Sequence, residues 1–387
     1  MKPVKLTDNI YWVGAIDWNL RNFHGYLTQK GSTYNAYLVI DDKITLIDTV
    51  KEGFTGEMLE RISAVIDPSK IDYIISNHAE MDHSGALPEM LKIAPGAEII
   101  ASANGEKNLK EHFRWECKVR AVKAGETLNT GKYTFTFVPE PMVHWPDSMV
   151  TYLEAEKILF SNDAFGQHLA TSERFDDEYS LDIIMEEARK YYANIVLPYS
   201  PQVQKALGDV AGLKIETIAT SHGVIWRKNI GKIIEAYKQW SSNEVQKKAL
   251  IVYDSMWHST EKIAETIAAA LSDRGYNYRI LSLQQNQISD IMTELLEAEY
   301  ICVGSPTLNN NMLPTVAAFL TYMRGLAPKG RKGMAFGSFG WGGQSVKQVH
   351  EILESCGYNM LESAGIKFRP DDEALNKIRE DLVKAIP

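Results

Sequence analysis

Cysteine is scarce: this chain of 387 residues has three, Cys117, Cys302 and Cys356. They stand far apart with no C-x-x-C pair, which excludes a disulfide framework and a thiolate-held zinc or iron site. All three read as small buried hydrophobes. No apolar run approaches the ~18 residues of a membrane span. The opening stretch Met1-Lys2-Pro3-Val4-Lys5-Leu6-Thr7 lacks the apolar core of a signal peptide, so the cytoplasm is the expected compartment. Basic residues are not in excess. The 41 Lys and Arg against 50 Asp and Glu leave a formal charge of −9, and without a basic face nucleic acid is not an expected partner. Internal repeats and low-complexity tracts are also missing.

What is present is an ordinary globular composition, 45% hydrophobic and 24% charged, in a length that suits two or three domains. A polar stretch, Ser241-Ser242-Asn243-Glu244-Val245-Gln246-Lys247-Lys248, follows a helical pattern ending near Trp240 and precedes the apolar run Ala249-Leu250-Ile251-Val252-Tyr253. A boundary there gives two domains, residues 1–245 and 246–387. In the first, strands are expected over 36–40 and 44–47 (a hairpin), 71–76, 98–101, 133–138, 149–153 and 157–160, with helices over 55–66, 86–93, 181–192 and 230–240. Runs of strands with helices between them predict an α+β sandwich rather than a βαβ array. In the second, strands over 249–253, 278–283, 300–304, 333–336 and 365–368 alternate with helices over 261–272, 288–297, 315–324, 345–356 and 373–385. That alternation predicts an α/β doubly wound parallel sheet.

The predicted strand 71–76 runs into Asn77 and then His78-Ala79-Glu80-Met81-Asp82-His83. Four metal-binding side chains within six residues, just past a strand end, can turn towards one point. The plainer reading is a polar turn capping a helix that starts near Ser84. Further candidates follow, each just after a predicted strand or in a turn marked by Gly or Pro: His144 in Met142-Val143-His144-Trp145-Pro146-Asp147-Ser148, Asp163 in Ser161-Asn162-Asp163-Ala164, and His222 in Thr220-Ser221-His222-Gly223. Alone, each reads as a loop polar group; in series after the cluster they read as ligands. Imidazoles and carboxylates without thiolate suit iron or manganese, although affinity order leaves zinc open.

Three loops stand out in the second half. The first strand runs into Asp254-Ser255-Met256-Trp257-His258-Ser259-Thr260 and a helix. Its hydroxyls and the helix N-terminus can bind a phosphate without a basic residue; an ordinary helix cap is the plainer reading. The third strand ends in Ser305-Pro306-Thr307-Leu308-Asn309-Asn310, and the fourth in Ser338-Phe339-Gly340-Trp341-Gly342-Gly343. Ligands of open α/β sheets bind at such carboxyl ends of strands. The glycines allow close approach to a planar ring, on which Trp341 can stack. No G-x-G-x-x-G follows the first strand, so NAD is not expected here.

The order His78, Glu80, Asp82, His83, His144, Asp163, His222 resembles the metallo-β-lactamase fold, with Glu80 where the hydrolases carry His. That pattern, with His144-Trp145-Pro146-Asp147-Ser148, Asn162-Asp163-Ala164-Phe165-Gly166-Gln167-His168 and Ser221-His222-Gly223, is similar to the flavodiiron proteins over essentially the whole chain. The resemblance implies a metallo-β-lactamase-like αββα sandwich followed by a flavodoxin-like domain. It implies two iron ions, one held by His78, Glu80 and His144, the other by Asp82, His83 and His222, with Asp163 between them; members of the family differ over the position of His83. It implies FMN, with its phosphate in the Ser255–Thr260 loop and its isoalloxazine against the other two loops; flavodoxins usually have Gly where this chain has His258. It places His24 and Tyr191 or Tyr192 along the iron pocket as hydrogen-bond or proton donors, and makes Asp48 a structural acid. His168 reads as structural, and His112, His258 and His350 as surface or loop residues.

The activity so implied is reduction of dioxygen to water, of nitric oxide to nitrous oxide, or both, with electrons passing through FMN to the iron pair. A separate electron donor is implied, such as rubredoxin or a reduced deazaflavin coenzyme. So is a head-to-tail homodimer or a dimer of dimers. Two other readings remain: a metallo-β-lactamase-type hydrolase with an accessory flavodoxin domain, and an electron-transfer flavoprotein whose metal site is idle.

Overall fold

The structure, a computed structural model, describes residues 1–114 and 118–387; Cys117 lies outside the described residues. Two compact units are present, one comprising Met1–His24, Thr28–Tyr191 and Pro201–Lys238, the other Gly25–Leu27, Tyr192–Ser200 and Gln239–Pro387. Among the described residues, no helix is long and apolar enough to cross a membrane.

The first unit is built on two sheets. One has seven strands in the order Val4–Thr7, Ile10–Trp12, Tyr37–Val39, Thr45–Ile47, Tyr73–Ile75, Glu98–Ser102 and Val119–Val122. The other has five, Thr127–Asn129, Thr134–Pro139, Met149–Leu153, Ile158–Asn162 and Thr217–Thr220. Side chains alternate across a strand, and here both faces of the larger sheet are covered. Ile47, Ile75 and Ile100 point into the core shared with Phe135, Phe137 and Phe160 of the smaller sheet. Leu46, Ile74 and Ile99 point outwards onto Met58, Ile62, Leu87, Met90 and Leu109 of the helices. Two covered faces explain why these strands are continuous apolar runs. The outer face of the smaller sheet packs Val150, Tyr152 and Leu159 against Val210 and Leu213. The result is the expected αββα sandwich.

The hairpins at Tyr37–Val39/Thr45–Ile47 and Met149–Leu153/Ile158–Asn162 pair antiparallel, as the sequence predicts. Two helices escape sequence reading. Ala103–Phe113 starts with Asn104-Gly105, ordinarily a turn signal, but Ser102 caps it by accepting from Gly105 N at 3.0 Å. Ser200–Asp209 carries Pro201 in its first turn, where a missing N–H costs nothing. The helix expected to reach Tyr192 ends at Tyr191 and gives way to a π-helical turn, Tyr192–Val196.

In the second unit the strand order is Asn277–Ser282, Gln246–Tyr253, Ala298–Gly304 and Lys332–Phe339, and the last pairs with both Asn359–Met360 and Ala364–Lys367. Every pairing is parallel. This is the flavodoxin-like order, with the first strand between the second and third. The first strand starts at Gln246, earlier than the apolar run alone suggests, because Gln246 N donates to Glu297 O at 2.8 Å. Ala249, Ile251 and Tyr253 face one helical layer with Ile263, Ile267 and Leu382. Cys302 is buried there as expected, but Cys356 is only half-buried, since it sits at the solvent-side end of helix Gln344–Ser355. His350 lies on that helix rather than in a loop, half-buried, with Nδ1 2.9 Å from Ser363 Oγ.

Ile251 is fully buried in the central strand, so Ile251→Ala is expected to cost about 2–5 kcal/mol. The loss should appear as earlier unfolding in a denaturant titration followed by flavin release; an unchanged midpoint would contradict the packing described.

Candidate metal centre and flavin site

Strand Tyr73–Ile75 delivers its loop through Asn77, which is held on three sides. Asp48, in a left-handed conformation (φ 54°), accepts from Asn77 N at 2.7 Å and from Nδ2 at 3.0 Å. Asn77 Oδ1 accepts from Thr151 Oγ1 at 2.7 Å, and Asn77 O from Met149 N at 3.0 Å. Past this root the chain makes one helical turn, Met81–Ser84, with His83 N and Ser84 N both donating to Glu80 O at 2.9 Å. That turn swings Asp82 and His83 to the same side as Glu80.

All seven predicted ligands converge. His78, Glu80, His144 and Asp163 form one group able to hold a metal ion, and Asp82, His83 and His222 a second. Asp163 faces both. Its Oδ2 lies 3.2 Å from His144 Nε2 and 3.7 Å from His78 Nε2, whereas its Oδ1 lies 3.2 Å from His83 Nε2 and 3.4 Å from His222 Nε2. Two of the imidazoles are aimed by partners on their other nitrogen. His78 Nδ1 stands 3.1 Å from Asp147 Oδ2, and His222 Nδ1 donates to Thr33 O at 2.6 Å. Such outer contacts orient metal-binding histidines. Asp147 is fixed in turn by Ala79 N at 2.7 Å and Asn108 Nδ2 at 2.9 Å.

At the carboxyl edge of the parallel sheet, a cavity of ≈ 630 Å³ is lined by Met256, Trp257, His258 and Ser259 from the first loop, Pro306 and Thr307 from the second, and Ser338 to Trp341 from the third. Trp257 and Trp341 are 86% and 92% exposed beside it, as aromatic faces open to a planar guest. Gly337 lets the loops close together, since a Cβ there would lie 2.1 Å from Ser305 O.

Two family models match the chain, that of the ODP family β-lactamases over residues 33–223 and that of the flavodoxins over residues 251–381. The nitric oxide reductase of Moorella thermoacetica is 44% identical, over 98% of this chain and 97% of that protein. The structure of rubredoxin oxygen:oxidoreductase from Desulfovibrio gigas superposes with a TM-score of 0.97, at 43% identity, over 100% of this chain and 98% of that one. The flavodiiron protein of Giardia intestinalis superposes with a TM-score of 0.96, at 36% identity, over 99% and 96%. The chain belongs to the flavodiiron protein family. It is therefore an oxidoreductase whose cofactors are FMN and a non-haem di-iron centre.

The residues present fit both cofactors of a flavodiiron protein. The four oxygens of Asp82 and Asp163 are buried and receive no well-formed hydrogen bond, an arrangement that calls for cations. Burial alone would push Asp163 up, but His83, His144 and His222 hold its carboxyl well below the usual range. Burial pushes His222 down, and Asp163 and Asp82 outweigh it, raising the imidazole to about 10. His78 is likewise raised, against burial, by Asp147 and Glu80. Imidazole and carboxylate thus favour each other's charged forms across the centre, and a metal ion would take the place of any proton on a ligating nitrogen. For FMN, Ser255 Oγ is a buried donor with no partner, and helix Ser259–Asp273 opens directly after the same loop, its free N–H groups able to receive a phosphate.

Of the remaining predicted residues, His24 lies in a left-handed conformation with Nε2 3.2 Å from Glu80 Oε1, its ring largely exposed. Tyr191 is buried, its ring centroid 5.9 Å from that of His222; burial, then Asp163, keeps the phenol well above its usual pKa. Tyr192 packs elsewhere, its hydroxyl 3.0 Å from Ser200 Oγ. His168 is buried, Nδ1 2.7 Å from Ser32 Oγ. His112 is exposed and stacks on Trp145. In the flavin loops His258 adopts a left-handed conformation (φ 61°), the conformation glycine favours, with Nδ1 2.6 Å from Glu261 Oε2. Thr260 is buried, its Oγ1 3.0 Å from Ser338 Oγ. Ser305 turns inwards, accepting from Leu313 N at 2.9 Å. Leu308, Asn309, Asn310, Gly342 and Gly343 do not line the cavity; Asn309 and Asn310 form a two-residue turn closed by Leu308 and Asn311. Lys262, Phe368 and Arg369 do line it and escape sequence reading, because the last two follow a strand without any phosphate-loop signature.

Asp163→Ala is expected to abolish paired-iron binding, measured by metal analysis and spectroscopy, while FMN absorbance persists. Two coupled irons in that variant would remove Asp163 from between them. Trp341→Ala should weaken FMN binding about 2- to 10-fold, the worth of one aromatic contact. The same titration curve as the parent would place the ring elsewhere.

Proposed function

We propose that this chain accepts electrons from an external donor, passes them through FMN to the iron pair, and there reduces dioxygen to water, nitric oxide to nitrous oxide, or both. The observation that carries the reading is Asp163, whose two oxygens face two separate groups of imidazoles and carboxylates. We assign His78, Glu80 and His144 to one iron and Asp82, His83 and His222 to the other, with Asp163 serving both. Residues 1–245 would form the di-iron domain and 246–387 the FMN domain.

When bound, the iron pair and FMN supply the electrons that the reduction consumes. The protein's own residues prepare the site. Asp147 and the Thr33 carbonyl keep the Nδ1 edges of His78 and His222 turned away, so that both Nε2 atoms face inwards. Asp48 and Asn77 fix the root of the loop that carries His78, Glu80, Asp82 and His83. Reduction of either gas also consumes protons. His24 is open to solvent and 3.2 Å from Glu80 Oε1, so it can take a proton from water and hold it at Nε2 beside the centre. Tyr191 stays a neutral phenol in the wall of the site. At the flavin end we assign the phosphate to Ser255, Met256, Trp257, His258, Ser259 and Thr260, and the ring to Pro306 and Thr307 of the second loop and to Ser338, Phe339, Gly340 and Trp341 of the third.

The proposed donor is a separate molecule with its own redox centre; rubredoxin or a reduced deazaflavin coenzyme fits. A head-to-tail homodimer, alone or doubled, is the proposed assembly and the cytoplasm the proposed compartment.

Iron-loaded, FMN-replete protein, reduced without oxygen and mixed with each gas in a stopped-flow instrument, should show rapid flavin reoxidation by at least one. Nitrous oxide should be recovered if nitric oxide is that gas. Reduced flavin that persists with both gases, or two zinc ions with esterase turnover, would overturn the proposal in favour of the hydrolase.

A further inference from the structure

Beside the metal centre, the smaller sheet and helix Ser200–Asp209 enclose a cavity of ≈ 30 Å³. Its walls are Met149, Val150 and Leu159 from the sheet and Val203, Ala206 and Leu207 from the helix. About 10–15 Å³ of such space holds one water, and apolar cavities stay dry and admit neutral guests such as xenon. This one has room for a molecule of two heavy atoms.

The position of the cavity matters as much as its lining. Its inner end is formed by Val143, which precedes His144, and by Asn162 and Ala164, which flank Asp163. Asn162 is left-handed (φ 55°), and the bend it makes sends Asp163 to the metal centre while leaving Asn162 on the cavity. The backbone that carries two of the candidate ligands is therefore also the cavity's end wall. At another point of the lining stands Glu140, 4% exposed, with Lys205 and Asp209 of the helix acting on its charge.

We propose that this cavity is a docking site for the neutral diatomic substrate, held beside the metal centre before it reacts. The inference rests on the gas-reductase reading above. Dioxygen and nitric oxide are small, uncharged and weakly hydrated, so transfer from water into an apolar space favours them, while ionic competitors are excluded by the cost of desolvation. A pocket whose end wall is the backbone on either side of Asp163 raises the local concentration of gas next to where it is consumed. Glu140 Oε1 and the side-chain amide of Asn162 have no hydrogen-bond partner, which makes an ordered water the rival occupant.

Crystals of the metal- and FMN-loaded protein under xenon pressure should show one anomalous peak between Leu159 and Ala206. Ala206→Phe, which fills the cavity from the helix side, should remove that peak. It should also lower the second-order rate of the reduced enzyme with gas about threefold or more, within the span that mutations of one site produce in association rates. Iron content, FMN content and the rate of flavin reduction should stay unchanged. Ala206→Val, a milder change, should give an intermediate rate if the larger side chain impairs folding. A water bridging Glu140 and Asn162 in place of xenon, or gas rates unchanged in both variants, would overturn the docking site while leaving gas reduction intact. Loss of gas reduction in the unaltered enzyme, with the xenon peak present, would instead count against the proposed function itself.

Discussion

Asp163 is 1% exposed, its two oxygens lack well-formed hydrogen bonds, and imidazoles stand on both sides of it. Burying a carboxylate in this way costs on the order of several kcal/mol unless positive charge accompanies it. The first unit is organised around meeting that need. Four histidines arrive from three loops, and a single helical turn presents Asp82 and His83 together. Whether the balancing charge is carried by protons or by iron, it must sit in the same small volume.

The flavin unit solves a different problem. A planar ring needs breadth and a phosphate needs donors, and neither requires a buried charge. Loops at the carboxyl edge of a parallel sheet supply both, with exposed Trp257 and Trp341 on the open side and hydroxyls near the start of helix Ser259–Asp273. His258 shows how strongly the loop shape is imposed: the backbone takes the left-handed conformation there although the residue carries a Cβ.

Much of this was legible in the sequence. His78, Glu80, Asp82 and His83 are readable because local spacing alone brings them together, and His144, Asp163 and His222 because each stands just past a predicted strand or in a turn marked by Gly or Pro, although the strand Thr217–Thr220 that delivers His222 was not itself predicted. Five of the six strands of the second unit are readable because their apolar runs alternate with helical patterns; Asn359–Met360, two residues long, is too short to show. Contacts made through space are not. Nothing near Asp147 announces that it orients His78, and Thr33 acts through its carbonyl, which has no side-chain signature. Lys262, Phe368 and Arg369 reach the flavin cavity from segments that share no motif. The helix Ala103–Phe113 was hidden behind Asn104-Gly105, a local turn signal overruled by the cap at Ser102.

Asn77 has a mechanical meaning beyond holding a loop. It receives Asp48 from the end of one sheet and Thr151 and Met149 from the other, so a single side chain and its backbone tie the two layers at the metal-bearing end. The opposite end is tied as well: Asp41, in a hairpin of one sheet, accepts from Thr130 Oγ1 and Tyr133 N in a hairpin of the other, both at 2.8 Å, and Lys43 N donates to Thr130 O at 2.9 Å. With polar pins at both ends, neither edge of the sandwich is a natural starting point for splaying, and the two layers should separate in one cooperative step that releases the metal with them.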